Sequence, residues 1–239
     1  MAETTNDEKP RRQVEKMTLR KAFFVFFSHP SPRLLVGGLL LAWSLRLYLG
    51  GWTIWDAVII GALIAVWPIV EWVIHVFILH FRPFEFAGRR IDFHLARKHR
   101  SHHRQPDHLP HVFIPFRSLL LTVPILLVPW WFLAPTPQIM VTGAAALFTM
   151  GTIYEWCHFL IHTNYRAKTR LFKKLWRHHR LHHFKHEQNW FGVSMTLGDR
   201  LLGTAPDFRT IETSDTCRTL GVDGPLEELV PDPGESSTS

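Results

Sequence analysis

The chain has 239 residues, which is enough for one domain or at most two. It is 46% hydrophobic, with 10 Trp and 18 Phe, and its formal net charge is +7. A basic chain this apolar is expected to meet a membrane surface and no nucleic acid. The two cysteines, Cys157 and Cys217, are too few for a disulfide framework and form no CxxC pair that would hold zinc.

The N-terminal stretch "MAETTNDEKPRRQVEK" is polar and lacks the apolar run of a cleavable signal peptide. Four apolar segments follow, at residues 34–52, 57–79, 118–133 and 139–161. A helix of about 20 residues crosses a hydrocarbon core of about 30 Å, so the sequence predicts four transmembrane helices. We expect Arg46, inside the first segment, to reach the membrane interface with its side chain.

The basic residues orient these helices. Short connections follow the first and third segments, which predicts two helical hairpins, and neither connection contains Lys or Arg. Seven Lys and Arg precede the first segment, eight lie between residues 82 and 117, and eleven follow the fourth. By the positive-inside rule, both termini and the middle loop are then cytoplasmic.

The predicted fold is an all-α integral membrane protein, in which four transmembrane helices carry a cytoplasmic, histidine-rich helical cap. Residues 1–33 form a cytoplasmic N-terminal segment, and residues 34–215 form the membrane domain with its metal-binding cap. Residues 216–239 are predicted to be a disordered tail.

Histidines are concentrated between residues 75 and 186 and follow one order twice. The second apolar segment ends in "EWVIHVFILH", and the fourth ends in "EWCHFLIH". Each is followed by a basic stretch with an HxxHH pattern, "HRSHH" at residues 99–103 and "HRLHH" at residues 179–183. The ten histidines in this order are His75, His80, His99, His102, His103, His158, His162, His179, His182 and His183.

Helical spacing favours metal ligation by these rings. Positions i, i+3 and i+4 share one helix face, so each HxxHH stretch directs three rings the same way. His158 and His162 form a further i,i+4 pair. His75 and His80 fit less well, because five residues leave two α-helical side chains roughly 140° apart. We expect the helix to unwind near His80, or the two rings to reach the site from different sides.

Both histidine-ending segments run towards the cytoplasm, so the ten rings are expected to converge just beneath the membrane surface. Ten imidazoles suit two metal ions with about five nitrogens each, and imidazole binds Zn, Cu, Fe and Ni alike. Ligating histidines donate their other ring N–H to a carboxylate or a carbonyl. The residues expected to support the ligands are Glu71, Glu155, Asp199, His178 and His186.

The four histidine boxes in this order resemble those of the fatty acid hydroxylase and sterol desaturase superfamily. The stretches "EWVIHVFILHFRP", "YEWCHFLIH" and "HHRLHHFKHEQNWFGVSMTLGDRLLGT" look like those of the fatty acid 2-hydroxylases, and the resemblance covers about residues 65–205. It implies a non-haem diiron centre, held by the ten histidines, that uses O₂ to hydroxylate an acyl chain at C2. Members of the family can also be isolated with other metals, zinc included.

The resemblance also implies partners: a fatty acid or acyl-lipid substrate, membrane lipids and an electron donor. Several eukaryotic 2-hydroxylases carry a cytochrome b5 domain, for which the 33 residues before the first segment leave no room. We therefore expect a separate cytochrome b5-like or ferredoxin-like donor. A chain of this kind favours a bacterial inner membrane over the endoplasmic reticulum.

Other functions fit parts of the pattern. Within the superfamily, the substrate could be a sterol, a carotenoid or another lipid that is hydroxylated or desaturated. A histidine-rich metal transporter would hold its ligands near the bilayer midplane, whereas these histidines lie at helix ends and in basic loops. A soluble all-α protein would not need so uneven a distribution of Lys and Arg.

Overall fold

The computed structural model describes residues 16–222, and the chain is mostly helical within that range. The helices are α1 (Leu19–Ser28), α2 (Pro30–Leu49), α3 (Ile54–Val73), α4 (His94–Arg104), α5 (Leu109–Val112), α6 (Phe116–Leu133), α7 (Pro137–Ile161), α8 (Arg170–Phe184) and α9 (Leu197–Leu201). A π-helical segment, Ile74–Leu79, continues α3, and a short antiparallel hairpin pairs β1 (Phe84–Phe86) with β2 (Arg89–Ile91). Residues 1–15 of the predicted N-terminal segment and residues 223–239 of the predicted tail lie outside the described range.

Within residues 16–222, three helical stretches are long and apolar enough to cross a membrane: Pro30–Leu49, Ile54–Leu79 and Leu109–Leu133. They carry large hydrophobic side chains that are exposed on the surface of the protein, such as Leu41 and Phe132. Contiguous apolar surface of this kind favours contact with lipid over contact with water. The three stretches correspond to the first three predicted apolar segments.

The fourth predicted segment forms α7, which packs against both α2 and α3 and buries the most residues among the helices of residues 16–222. The approach to α2 is close, because a Cβ atom at Gly38 would lie 2.4 Å from the Phe148 ring of α7. The small side chains of Ala145 and Ala146 are also buried. As the central helix, α7 brings His158 in its last turn, and His162 just after it, to one end of the bundle.

Arg46, inside the first predicted segment, has a side chain that is fully buried between helices. Its guanidinium donates to Asp56 Oδ1 at 2.7 Å and to the carbonyl oxygen of Gly50 at 2.6 Å. Asp56 also accepts from the Thr142 hydroxyl of α7. An unpaired buried charge is costly, so these partners stabilise Arg46 inside the bundle. The cluster ties the α2–α3 connection to α7 at the end of the bundle opposite the histidines.

The HxxHH stretches lie on α4 and α8, and the prediction that both are helical is confirmed. The chain after α8 passes over the histidine rings and reaches α9. Helix α9 packs closely on α3, because a Cβ atom at Gly198 would lie 2.2 Å from the carbonyl oxygen of Pro68. Residues 216–222, at the predicted start of the tail, pack on α4, where the Arg218 side chain donates to the carbonyl oxygen of His103. Folded structure therefore continues past residue 216.

Candidate metal centre

Ten histidine rings form two adjacent groups of five where the ends of α3 and α7 meet α4 and α8. Within each group the available nitrogen atoms lie within 4.8 Å of one another. Group one consists of His75, His80, His99, His103 and His182, and group two consists of His102, His158, His162, His179 and His183. These are the ten histidines of the sequence pattern, and they divide equally between two sites that could each hold one ion.

Each cap helix contributes an i,i+4 pair of rings to one group and the intervening ring to the other. The pair of α4 joins group one and its His102 joins group two. The pair of α8 joins group two and its His182 joins group one. The end of the α3 helix supplies the remaining rings of group one, and the end of α7 supplies those of group two. The two halves of the repeated sequence pattern therefore exchange one ring each, His102 for His182.

The π-helical segment brings His75 and His80 together. The amide of His80 donates to the carbonyl oxygen of His75 at 3.0 Å, which is the i→i+5 hydrogen bond of a π turn. The two ring centroids lie 4.9 Å apart. The expectation that the helix unwinds near His80 is therefore wrong. The helix widens instead, and residues five positions apart reach the same group.

Ring nitrogens approach one another as ligands of a shared ion do. In group one, His99 Nε2 lies 3.1 Å from His75 Nε2. In group two, His179 Nε2 lies 3.0 Å from the Nε2 atoms of both His162 and His183. Two nitrogens that are each about 2.1 Å from one ion, at right angles, lie about 3.0 Å apart. The donor set thus fits a transition-metal ion in each group, and imidazole suits both iron and zinc.

Other nitrogens of the two groups lack any hydrogen-bond partner within residues 16–222. The Nε2 atoms of His80, His102 and His158 are buried in this way, which costs free energy unless a further ligand binds them. Burial, and after it the neighbouring imidazoles, lowers the pKa of His183 well below its usual range. Burial likewise lowers the pKa of His182 to about 4. These rings are therefore neutral at pH 7, as metal ligation requires.

Backbone carbonyls hold the outer nitrogens of group one. Three Nδ1–H groups donate to carbonyl oxygens: His75 to Phe191 at 2.6 Å, His182 to Asn189 at 2.8 Å and His103 to Cys217 at 2.8 Å. Such bonds fix the tautomer and leave Nε2 for the ion. Trp190, between two of the acceptors, has a φ of 58°, a backbone conformation that few non-glycine residues adopt. No side-chain pattern marks these carbonyls, so sequence reasoning missed them.

Asp199 and His178 contact the loop that holds His75, and not His75 itself. Nε2 of His178 donates to Asp199 Oδ2 at 2.7 Å, and the same carboxylate accepts from the amides of Phe191 at 2.9 Å and Gly192 at 2.7 Å. Burial alone would raise the pKa of Asp199, but the hydrogen bonds from His178 and its other partners outweigh it and lower the pKa. The ionised carboxylate thus fixes the backbone whose Phe191 carbonyl holds His75.

Glu71 also contacts the loop after α8, and within residues 16–222 it makes no hydrogen bond to any of the ten rings. It accepts from Trp67 Nε1 at 2.8 Å and from the Ser194 hydroxyl. The amides of Val193 and Met195 lie within 3.4 Å of its second oxygen. Glu71 therefore joins α3 to the segment that crosses group one.

Glu155 and His186 lie elsewhere. Glu155 is buried on α7 and accepts from the amide of Ile114 at 2.9 Å. His186 is partly exposed, and its Nδ1 accepts from the amide of Gln188. The structure shows no hydrogen bond from either residue to the ten rings among the described residues.

An apolar cavity of about 180 Å³ lies between α2, α3, α6 and α7, with Trp67 and Phe148 in its wall. A smaller pocket of about 40 Å³ lies between this cavity and the histidines. The two spaces share Tyr154, and the smaller one is lined by His99 and His102, one ring from each group. The interior of the helix bundle therefore leads towards both histidine groups.

Known proteins are similar to this chain in sequence, and one solved structure is similar to it in fold. The family model for fatty acid hydroxylases matches residues 59–204. The dihydroceramide fatty acyl 2-hydroxylase FAH1 of Arabidopsis thaliana is 32% identical over 149 residues, which cover 60% of this chain and 58% of that protein. The fatty acid 2-hydroxylase of Rattus norvegicus is 26% identical, over 62% of this chain and 40% of that protein. The chain thus spans less than two thirds of either relative, and both come from eukaryotes, which does not favour the predicted bacterial inner membrane.

A solved structure titled full length scs7p, with only its hydroxylase domain visible, has a TM-score of 0.60 and 19% sequence identity to this chain. The match covers 83% of this chain and 70% of that one, and it shows a shared fold. The family model covers more than half of the chain and includes all four histidine boxes. The predicted resemblance is confirmed, and the chain belongs to the fatty acid hydroxylase family.

Proposed function

We propose that the protein is a membrane monooxygenase that uses two iron ions and O₂ to hydroxylate an acyl chain at C2. The observation that carries this proposal is the apolar cavity between the helices, which leads to both histidine groups. Transfer of a hydrocarbon chain from water into such a space lowers its free energy, whereas a polar substrate would lose its hydration there. The names of the two relatives, a fatty acyl and a fatty acid 2-hydroxylase, support oxidation at C2.

Two bound iron ions would supply the O₂ chemistry that an unactivated C–H bond requires. In the overall reaction, one oxygen atom enters the C–H bond and the other leaves as water, with two electrons and two protons from a donor. The ten rings would hold the ions, and the buried surroundings would keep bulk water away. Zinc can occupy imidazole sites as well, so the metal found in isolated protein need not be iron.

Side chains other than the ten histidines would bind and orient the acyl chain of the substrate. The acyl tail would lie beside Trp67 and Phe148 in the cavity, and C2 would reach the pocket next to His99 and His102. Because a misplacement of about 1 Å costs a large factor in rate, walls built from packed helices favour oxidation of one carbon.

We further propose that α2, α3 with its π-helical segment, α6 and α7 span the membrane as two hairpins. Both termini and the cap would then be cytoplasmic. Two observations support this topology. The ends of α3 and α7 both reach the histidine groups, as hairpins of this parity require, and Lys and Arg are absent from the two short connections.

Electrons would come from a separate cytochrome b5-like or ferredoxin-like donor. The face of α8 opposite its histidines carries Lys173, Lys174 and Arg177, which are exposed. Positive charge on the cap would accelerate encounter with an acidic donor, and the effect would weaken as salt is added.

The test is lipid analysis by mass spectrometry after expression in a host that lacks 2-hydroxy fatty acids. We expect 2-hydroxyacyl chains from the wild-type protein and none above background from His102→Ala, because the second group loses one of its five rings. His108→Ala is the matched control, since this ring is exposed and belongs to neither group. Equal product from wild type and His102→Ala would contradict the role of the histidines. An altered sterol or carotenoid with no 2-hydroxyacyl product would contradict the choice of substrate.

A further inference from the structure

Lys98 is a buried cation with no counter-charge paired to it among residues 16–222. Only 9% of its surface is exposed, and the structure gives it no hydrogen bond or ion pair within residues 16–222. A buried charge is costly unless a partner compensates it. Asp92, the acidic residue nearest in sequence, is paired with Arg100 at 2.5 Å instead.

The position of Lys98 on α4 places it between the apolar cavity and the metal centre. Leu95, Lys98, His99 and His102 follow the i, i+3, i+4, i+7 spacing of one helix face. All four line the small pocket, and Leu95 also lines the apolar cavity. Along this face, the apolar side chain of Leu95 is followed by the cation of Lys98 and then by rings of the candidate metal centre.

The other residues that line the small pocket also favour an anionic ligand. Among the described residues, its lining includes no Asp or Glu side chain that could pair with the ammonium group. His111 also lines it, and the Nδ1 atom of that ring is buried with no hydrogen-bond partner among the described residues. An ammonium and an imidazole nitrogen beside an apolar cavity suit a ligand with an anionic oxygen group at the end of a hydrocarbon chain.

We propose that Lys98 binds the carboxylate of a free fatty acid and that the protein selects free acids over acyl amides. The inference rests on the proposed function and specifies its substrate class. Hydroxylation at C2 requires the carboxyl carbon to lie one bond from the reacting carbon, so its binding group must border the metal centre. Lys98 is next to His99 in the chain and one helical turn before His102, which meets this requirement. Lys98 is a substrate-binding residue here.

Binding measurements on the wild-type protein test the selection directly. We would measure the affinities of radiolabelled palmitate and palmitamide for the metal-loaded protein in lipid nanodiscs, with empty nanodiscs subtracted. We expect palmitate to bind about tenfold or more tightly, the lower range for a charge-assisted hydrogen bond. Equal affinities, or tighter binding of the amide, would overturn the proposal, and this arm needs no variant to fold.

Variants then assign the selection to Lys98. Lys98→Met keeps the length of the side chain and removes its charge, so palmitate binding should weaken about 10- to 100-fold while palmitamide binding stays unchanged. Lys98→Arg should retain the preference for the acid. Lys168→Met, which removes an exposed lysine in the loop before α8, is the matched control. If Lys98→Met binds both ligands as the wild type does, Lys98 is not the carboxylate-binding group.

Binding and catalysis fail separately in this design. A protein that selects palmitate but forms no 2-hydroxy product would contradict the proposed function and retain the carboxylate site. A protein that hydroxylates acyl chains but binds acid and amide alike would retain the function and lose the site.

Discussion

Asp199 shows how one side chain can order a histidine ring that it does not touch. Its carboxylate accepts hydrogen bonds from His178 and from two amides of the loop that crosses group one. That loop presents the Phe191 carbonyl to His75. The chain of contacts is short and buried, and the low dielectric of the interior strengthens the hydrogen bonds that Asp199 accepts.

Replacing Asp199 with Asn should loosen this loop. An amide cannot accept from all of these donors, and its own NH₂ group would face another N–H. We expect Asp199→Asn to lower metal affinity by about 10- to 100-fold, the range for residues behind metal ligands. The measurement is iron and zinc content of the purified protein by mass spectrometry at limiting metal. Asp207→Asn, at an exposed aspartate, is the control. Normal metal content in Asp199→Asn would contradict this role.

At the scale of single residues, the sequence predicted the ten rings and not their surroundings. The repeated order of histidines separates them from His178 and His186, although His178 and His182 are also spaced i,i+4. The groups that hold the outer nitrogens of the rings are harder to predict, because a backbone carbonyl such as that of Phe191 has no signature in the side-chain sequence. Lys98 was counted only as positive charge, since its burial depends on how α4 packs.

The π-helical segment after α3 is the element that the sequence could not have predicted. Residues 57–79 have the apolar character of a long helix, and helical spacing describes α4 and α8 correctly. Five-residue spacing between His75 and His80 contradicts an α-helix, but the pattern alone does not distinguish unwinding from widening. The choice depends on tertiary structure, because both rings must reach group one.

The contact between α9 and α3 gives a prediction about packing. A Cβ atom at Gly198 would lie 2.2 Å from the carbonyl oxygen of Pro68, which is backbone and cannot rotate away. We expect Gly198→Ala to destabilise the protein by about 1–3 kcal/mol, as overpacking does, and to reduce metal content because Asp199 follows directly.

The measurement is thermal unfolding in detergent. Gly61→Ala is the control on α3 itself, where nothing lies within 4 Å of an added Cβ, and alanine is the better helix former by about 1 kcal/mol. If the two variants unfold at the same temperature, α9 does not pack on α3 in this way.

For the whole molecule, burying ten imidazoles makes stability depend on pH. The unfolded chain takes up protons on histidine below about pH 6.5, whereas burial holds the pKa of folded His182 at about 4 and that of His183 well below its usual range. Between these values the unfolded state binds more protons. The free energy of unfolding of the metal-free protein therefore falls as pH falls, by up to about 1.4 kcal/mol per pH unit for each ring.

Thermal unfolding of the metal-free protein between pH 8 and pH 4 would measure this dependence. We expect a steady loss of stability below pH 6.5 and a smaller slope in His183→Ala, which has one buried ring fewer. His108→Ala removes an exposed ring and should keep the wild-type slope. A melting temperature that stays constant down to pH 4.5 would show that the rings are not buried as neutral groups.

The exchange of rings between the two halves also determines when the proposed metal centre could load. When the ribosome has made the first 105 residues, four rings of group one and one ring of group two exist. Each group then waits for α8, because His182 completes group one and His183 completes group two. Translation must therefore pass residue 182 before either group has all five of its rings, so a nascent chain cannot finish one group early, and loading of the proposed metal centre would be a late step in the biosynthesis of the protein.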